Sequence, residues 1–230
     1  FQHDPRLAKI KTGLTKRVLN ELKKKAEKKP EEYAEFWKNF GAVLKEGLYE
    51  DQANRGKLLE VSRFHTTTSN ELRSLADVVA EMKEGQNAIY YITGESLDMV
   101  RQSPQLEGFR SRGVEVLLMC DPVDEFWLPA VANFEEKKFK SVTRSGTDLD
   151  NIRADDDKKD AKDKKKKNKK PVPGMNKLIA ALKISLGEAV KDVSLSDRLT
   201  DSPVCLVSSG DDMDIHLERM LKQHKQLGET

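Results

Sequence analysis

The apolar positions of this chain change their period near residue 84, and the change divides it. Before that point they recur at helical spacing. Leu7, Ile10, Leu14, Val18 and Leu22 follow at steps of three and four, which lines one helix face and predicts a core-facing stripe. Lys and Glu fill the opposite face to about Lys28. Pro30 followed by Glu31 and Glu32 marks a new helix start. Proline costs no hydrogen bond in the first turn, and carboxylates favour the positive end of the helix dipole. Tyr33, Phe36, Trp37, Phe40, Val43 and Leu44 then form an aromatic stripe, also expected to face a core. A third short helix is expected over about Asp51–Phe64, then a polar connection at His65–Asn70. A fourth helix follows Ser74, carries Leu75, Val79 and Met82, and ends near Gly85.

From Ala88 the runs shorten and become β-rich. Ile89–Thr93 reads as a strand closed by Gly94, and Ser96 as the N-cap of a helix over Leu97–Gln102, stopped before Pro104. A helix at Leu106–Arg112 ends at Gly113. Val114–Cys120 is continuously apolar, the signature of a strand covered on both faces. Pro122 opens a helix through Glu125, Phe126, Trp127 and Leu128, and Lys138–Thr143 is a third strand. Alternating strands and helices of this length predict a small three-layer α/β unit with a mainly parallel sheet and right-handed crossovers. After a charged tract, Met175, Leu178, Ile179, Leu182, Ile184 and Leu186 predict a helix. Val190–Leu195 and Pro203–Ser208 read as two short strands, and Asp211 and Asp212 as caps of a last helix from Met213 to about Gln226. The expected class is α/β, α+β overall.

Composition sharpens this division. The chain has 230 residues, of which 37% are hydrophobic and 35% charged. Its mean hydropathy is −0.68. A single packed globule carries about 45–50% apolar residues, so small packed units joined by something highly charged are expected. The net charge is only +2, but Asn151–Lys170 holds ten Lys/Arg and five Asp, which leaves −3 for the rest. That tract, within a linker running from Arg144 to Pro173, buries too little apolar surface to offset its ordering entropy. No run is long and apolar enough for a membrane helix, and FQHDPRLAKIK is no signal peptide. The chain opens on Phe1 rather than Met, so a fragment or processed product is expected.

Candidate chemistry is sparse. Cys120 and Cys205 lie in apolar runs and fit buried thiols in a reducing compartment. His3, His65, His216 and His224 share no metal-ligand spacing with them. The turn after Ile89–Thr93 is Gly-Glu-Ser, which lacks the glycines of a phosphate cradle and adds an anion. Asp121, Asp124 and Glu125 stand at a strand's C-terminal end, where α/β ligand sites form; a small α/β enzyme acting there is one alternative, helix-start charges the other. Lys164–Lys170 allows a nucleic-acid-binding module, although the tract has five Asp and no aromatic to stack bases. Phe126 and Trp127 are about 100° apart on a helix, so one of them is expected at the surface. Met213, Leu217, Met220 and Leu221 share a Met-rich face, suited either to core packing or to varied partners.

Four long runs, in order, carry a resemblance: FWKNFGAVLKEG (36–47), MKEGQNAIYYITGES (82–96), GVEVLLMCDPVDEFW (113–127) and LSDRLTDSPVCLV (195–207). They closely resemble the 90-kilodalton heat-shock chaperone family (heat-shock protein 90), nearest its bacterial high-temperature protein G branch, over all the chain but the charged linker. The resemblance implies an ATP-driven, homodimeric, cytoplasmic chaperone acting in protein folding and stress response. It divides the chain into the helical end of a middle domain (1–83), its small α/β subdomain (84–143), a flexible linker (144–173) and the first half of a C-terminal domain without its dimerisation helices (174–230). The nucleotide-binding domain, with its ATP and Mg, would be absent, so no ATPase activity and no cofactor are expected of this chain alone. Of the family's Arg-Glu-x-Leu-Gln catalytic loop, Gln2 would match the Gln and Phe1 replace the Leu. The family's acidic–aromatic client contact would fall on Glu125 and Phe126, with Trp127 as the other candidate for the exposed ring. Its amphipathic client helix would fall on Met213, Leu217, Met220 and Leu221. The implied partners are unfolded or partly folded client proteins, with no membrane.

Overall fold

The computed structural model describes residues 5–144, 149, 152, 174–196, 198–208 and 213–223. Gln2, His3, Asp197, Asp211, Asp212, His224 and the Lys164–Lys170 tract lie outside the described residues. Two long helices open the chain, α1 (Pro5–Lys28) and α2 (Pro30–Glu50), followed by α3 (Arg55–Val61). Tyr33, Trp37 and Leu48 of α2 are buried, with Gly41 on the same side. A Cβ on Gly41 would meet the Trp37 indole at 2.8 Å, so the absent side chain makes room for the ring. The predicted stripes hold only in part. Leu19 and Ala26 of α1 are buried with Leu22 packed beside them, whereas Leu7, Ile10, Leu14 and Val18 are each more than half exposed. Phe40 and Val43 of α2 are exposed as well. Periodicity marks a face of a helix, and not how far along it a neighbour reaches.

The sheet has five strands: β1 (His65–Thr66), β2 (Ala88–Thr93), β3 (Val116–Met119), β4 (Asn133–Phe134) and β5 (Lys137–Ser141). Their order is β1-β3-β2-β5-β4. The central pairs β3–β2 and β2–β5 are parallel and both edge pairs are antiparallel, so the sheet is mainly parallel as expected. Between the strands run α4 (Leu75–Ala80), α5 (Leu97–Arg101), a 3-10 turn at Pro104–Leu106, α6 (Glu107–Arg110) and α7 (Asp124–Ala130). Successive strand residues point to opposite faces. Ile89, Leu117 and Met119 therefore join Trp37, Leu58, Leu75 and Trp127 in one core. Tyr90, Ile92, Val116 and Leu118 join Val100, Leu106 and Phe109 in the other. Helices cover both faces, which makes three layers and explains why β2 and β3 read as unbroken apolar runs.

Several expectations are corrected. His65–Asn70 is not merely a polar connection: His65 and Thr66 pair with Leu118 and Leu117 as an edge strand. β4 was absent from the sequence reading because the β4–β5 turn is Glu135-Glu136, both at positive φ (45° and 64°), in place of the usual Asn-Gly. Val190–Leu195 and Pro203–Ser208 do not form strands; among the described residues they make only an isolated bridge, Ser208 to Arg144. Leu195, Val204 and Leu206 are exposed, so these β-prone runs have no sheet to join here. Leu149 and Ile152 are buried in the second core, which carries the packed body past residue 144. The last helices are α8 (Met175–Leu186), none of whose residues is buried, and α9 (Ile215–Gln223). Ser96 caps α5 by accepting from the Met99 N–H, as its position predicted.

Candidate functional site

Three stretches distant in sequence meet at the C-terminal end of the sheet: α7 with its leading turn, the ends of β2 and β5, and an arm, Met213–Gln223, that carries α9. The α7 turn is held from behind by Lys45 of α2. Its Nζ lies 2.8 Å from Asp121 Oδ2 and 2.9 Å from Asp124 Oδ1. Trp127 Nε1 donates to Asp124 Oδ1 at 2.7 Å, and the Asp121 N–H donates to Asp124 Oδ2 at 3.1 Å. Burial works against the Lys45 charge, but the Asp124 and Asp121 carboxylates more than offset it, and its pKa is raised. Asp124 is thus a buried structural anion. The carboxylates that sequence offered as an alternative enzyme site include an ion pair locking α2 to α7. Cys120 beside them is pushed up to about 11, by burial first and by the two aspartates second, so its thiol stays neutral and unreactive.

The arm is gripped by polar contacts. Asp214 is buried and accepts from the Ser141 hydroxyl at 2.6 Å and the Thr143 hydroxyl at 2.7 Å, both through Oδ2. Its Oδ1 accepts from Thr93 Oγ1 at 3.4 Å and from the His216 N–H at 3.2 Å, so the same carboxylate caps the start of α9. His216 Nδ1 lies 2.8 Å from Glu125 Oε1. That hydrogen bond raises the His216 pKa above its ordinary value, against the cost of partial burial. Between arm and sheet lies a cleft of about 300 Å³, lined by Tyr91, Glu125, Leu128, Pro129, Met213 and Leu217 among others. Tyr91 is pushed up to about 12 by burial and secondarily by Asp214, and keeps its proton.

On α6, which packs in the second core, Glu107 accepts from the backbone N–H groups of Thr200 (2.8 Å), Asp201 (3.0 Å) and Ser202 (3.2 Å), and from the Ser202 hydroxyl. Arg198 Nη1 donates to the Val142 and Arg144 carbonyls. Residues 198–202 are therefore also tied to the sheet unit by polar contacts.

The structure brings two groups of sequence-predicted residues together and separates their members by role. Phe126 is the exposed ring, at 51%, and Trp127 is fully buried between Phe64 and Phe139. Trp127 is thus corrected from a candidate contact to core. Glu125 is buried and engaged with His216. Met213 is exposed and Leu217, Met220 and Leu221 are half-buried along α9. Sequence reasoning missed Thr93, Ser141, Thr143, Asp214 and His216. Their partners lie 71 to 121 positions apart in sequence, apart from the local cap, and no spacing rule reaches that far.

The turn after β2 does not have the glycine-rich pattern of a phosphate cradle. After β2 the turn has one glycine, Gly94, whose bare Cα makes room for Val100: a Cβ there would meet Val100 Cγ2 at 2.5 Å. The next residue is the anionic Glu95. Among the described residues no group of three or more His, Cys, Asp or Glu could hold a metal ion, and no helix is long and apolar enough to cross a membrane.

The described residues form a three-layer mixed-sheet unit carrying a pinned C-terminal arm. Residues 1–229 match the family described as Hsp90 protein. The chain is 57% identical over 227 residues to the chaperone protein HtpG of Roseobacter denitrificans, covering 99% of this chain and 36% of that protein. Against the HtpG of Paramagnetospirillum magneticum the identity is 52%, covering 98% and 36%. The middle domain of a Plasmodium falciparum heat shock protein superposes with a TM-score of 0.57 at 26% identity, covering 61% of this chain and 60% of that one. The chain belongs to the Hsp90 family. It spans about a third of the length of the curated relatives it matches.

Proposed function

We propose that this chain supplies client-binding surface to an ATP-dependent Hsp90-type chaperone, and that the surface is the cleft edge formed by Phe126, Leu128 and Pro129 of α7 with Met213, Leu217, Met220 and Leu221 of the arm. The observation that carries this reading is a cleft in which Leu128 and Pro129 of α7 meet Met213 and Leu217 from a remote part of the chain, with the exposed Phe126 ring on the same short helix. Apolar segments of an unfolded client gain about 25 cal/mol for each Å² they bury against such a face. Unbranched methionines adapt to varied shapes. The surrounding charges keep binding weak enough to reverse. Chemistry on ATP belongs, in this reading, to regions outside this chain, as do homodimer contacts, and the setting is cytoplasmic. The division at residues 83, 143 and 173 is part of the same reading, with 198–208 and 213–223 docked onto the subdomain that precedes the linker. The test is suppression of aggregation of a heat-denatured client by the chain and by Phe126→Ala and Met220→Asp. Each substitution is expected to weaken suppression at least about threefold. Equal protection by all three proteins rejects the surface.

A further inference from the structure

We propose that Met213–Gln223 is a displaceable cover over the α7 surface, latched by Asp214 in the Ser141–Thr143–Thr93 hydroxyl cradle and by His216 on Glu125, and that client polypeptide binds once the latch opens. This rests on the client-binding reading above and adds its regulation. The grip is polar and local. Asp214 is buried at 6% exposure, whereas Met213 is 44% exposed and Leu217, Met220 and Leu221 are only half-buried. A helix seated by its apolar face would show the reverse, with its large side chains buried and its polar end wet. The cover also occupies what it covers. Met213 and Leu217 line the cleft against Leu128, Pro129 and Glu125, so the docked arm uses apolar surface that a client would need.

Release does not unravel the helix. Asp214 Oδ1 caps α9 through the His216 N–H, a bond internal to the arm, whereas the bonds to Ser141, Thr143 and Thr93 and the His216–Glu125 contact are the ones that must break. The freed arm would carry its Met/Leu face intact. A second contact makes the latch sensitive to pH. The groups facing His216 are Glu125 of α7, Asp214 of its own segment and Glu95 of the turn after β2, all anionic, and Arg144 lines the same cleft. A histidine whose pKa is raised on docking stabilises the docked state fully below its free value of about 6.5 and ceases to do so as pH rises through the docked value. The cover is therefore tightest in acid and loosens on the alkaline side.

The test uses the whole 230-residue chain. Ser141→Ala/Thr143→Val removes the two short bonds of the cradle, leaving Thr93 and the α9 cap in place, and Asp214→Ala removes the hook together with that cap. Two readouts are taken between pH 6 and 8: hydrogen-exchange protection factors for 213–223, and the affinity for fluorescently labelled, reduced and carboxymethylated α-lactalbumin, a permanently unfolded probe. Losing two hydrogen bonds to a charged group should lower arm protection at least about tenfold, with tighter probe binding in both variants. In the wild type, protection should fall as pH rises, and His216→Gln should flatten that dependence. Unchanged protection in both unlatched variants overturns the cover. Lost protection with unchanged or weaker probe binding also overturns it, and leaves the client surface standing if Met220→Asp still weakens binding. If Met220→Asp and Phe126→Ala have no effect in any background, the client-binding reading itself fails and the cover falls with it.

Discussion

Replacing Lys45 with Met tests whether the buried ion pair under α7 holds the candidate surface in place. Met keeps the length and apolar stem of the side chain, so the packing against Phe64, whose ring centre is 5.3 Å from Nζ, is largely preserved. What disappears is the one cation within 2.9 Å of Asp124, whose side chain is 1% exposed. Asp124 would retain Trp127 Nε1 and the Asp121 N–H, two neutral donors facing a full charge. Asp121 matters less, because its side chain is 44% exposed and water can take over. Breaking a buried pair from one side costs about 3–5 kcal/mol, a large share of the roughly 5–15 kcal/mol that holds a typical domain together. The double variant Lys45→Met/Asp124→Asn removes the stranded charge while Asn still accepts from Trp127, and should recover all but about 1–2 kcal/mol. Urea unfolding followed by tryptophan fluorescence reads both, since Trp127 sits in this core. Acidification should partly rescue Lys45→Met. Burial already raises the Asp124 pKa, losing Lys45 raises it further, and the folded state then gains stability as pH falls and the carboxyl takes a proton. A loss below about 1 kcal/mol in the single variant, or a double variant no more stable than the single, refutes this account of how α7 is positioned.

The two neighbouring aromatics should behave oppositely. Trp127→Ala should cost about 3–5 kcal/mol in the same unfolding assay, and Phe126→Ala less than about 0.5, because one ring is buried and the other half exposed. Replacing Glu135-Glu136 with Asn-Gly should stabilise the protein by about 1 kcal/mol, since both positions hold positive φ that glutamate adopts at a cost; a loss of stability would mean the carboxylates do more than fill the turn. Glu107 is held from 4.5 down to about 2, first by the Ser202 hydroxyl and then by the Asp201 and Thr200 N–H groups. A depressed carboxyl stabilises above its free pKa, so exchange protection of 198–208 should be full above pH 4.5 and fall as pH drops toward 2. Gly108→Ala should release that same segment at neutral pH, because its Cβ would stand 2.8 Å from the Arg198 carbonyl oxygen.

Much of this fold was legible in the sequence because its signals are local. Two helix starts, a Ser cap and two unbroken apolar strands each follow from a few neighbouring residues. The continuity of β3 even announced cover on both faces. Failures arose where the deciding partner was remote. Leu7–Val18 has the period of a core stripe, yet the packing begins only at Leu19. Val204, Leu206 and Val207 are strand-formers without a sheet to join. β4 hid behind a Glu-Glu turn whose conformation nothing local encodes. At the candidate site, the resemblance pointed to Glu125 and Phe126 with Trp127 as the other ring, and helix geometry required that one adjacent ring be exposed, but neither could say which. Asp124 decides it: its bond to the indole N–H turns Trp127 inward, and Phe126 takes the outward position 100° away.

The pinning contacts share a chemistry that bears on how the C-terminal segment moves. Glu107 sits among the backbone N–H groups of 200–202, Arg198 reaches carbonyls of the strand end, and Asp214 reaches hydroxyls of the sheet. Each is a charged group meeting neutral dipoles, and the His216–Glu125 contact becomes an ion pair when the imidazole is protonated. Such contacts are directional and can be replaced by water when they open, so their net contribution is modest while their geometric selectivity is high. An apolar seam would have the opposite balance: tolerant of sliding and costly to expose. A segment that must hold one orientation and still be able to leave it is better served by the first kind. The exposed, unpacked α8 next to it in sequence fits the same division. On the proposed latch, the sheet unit holds residues 198–208 and 213–223 through these polar contacts, and the half-covered apolar faces of α7 and α9 are what opening would offer to another chain.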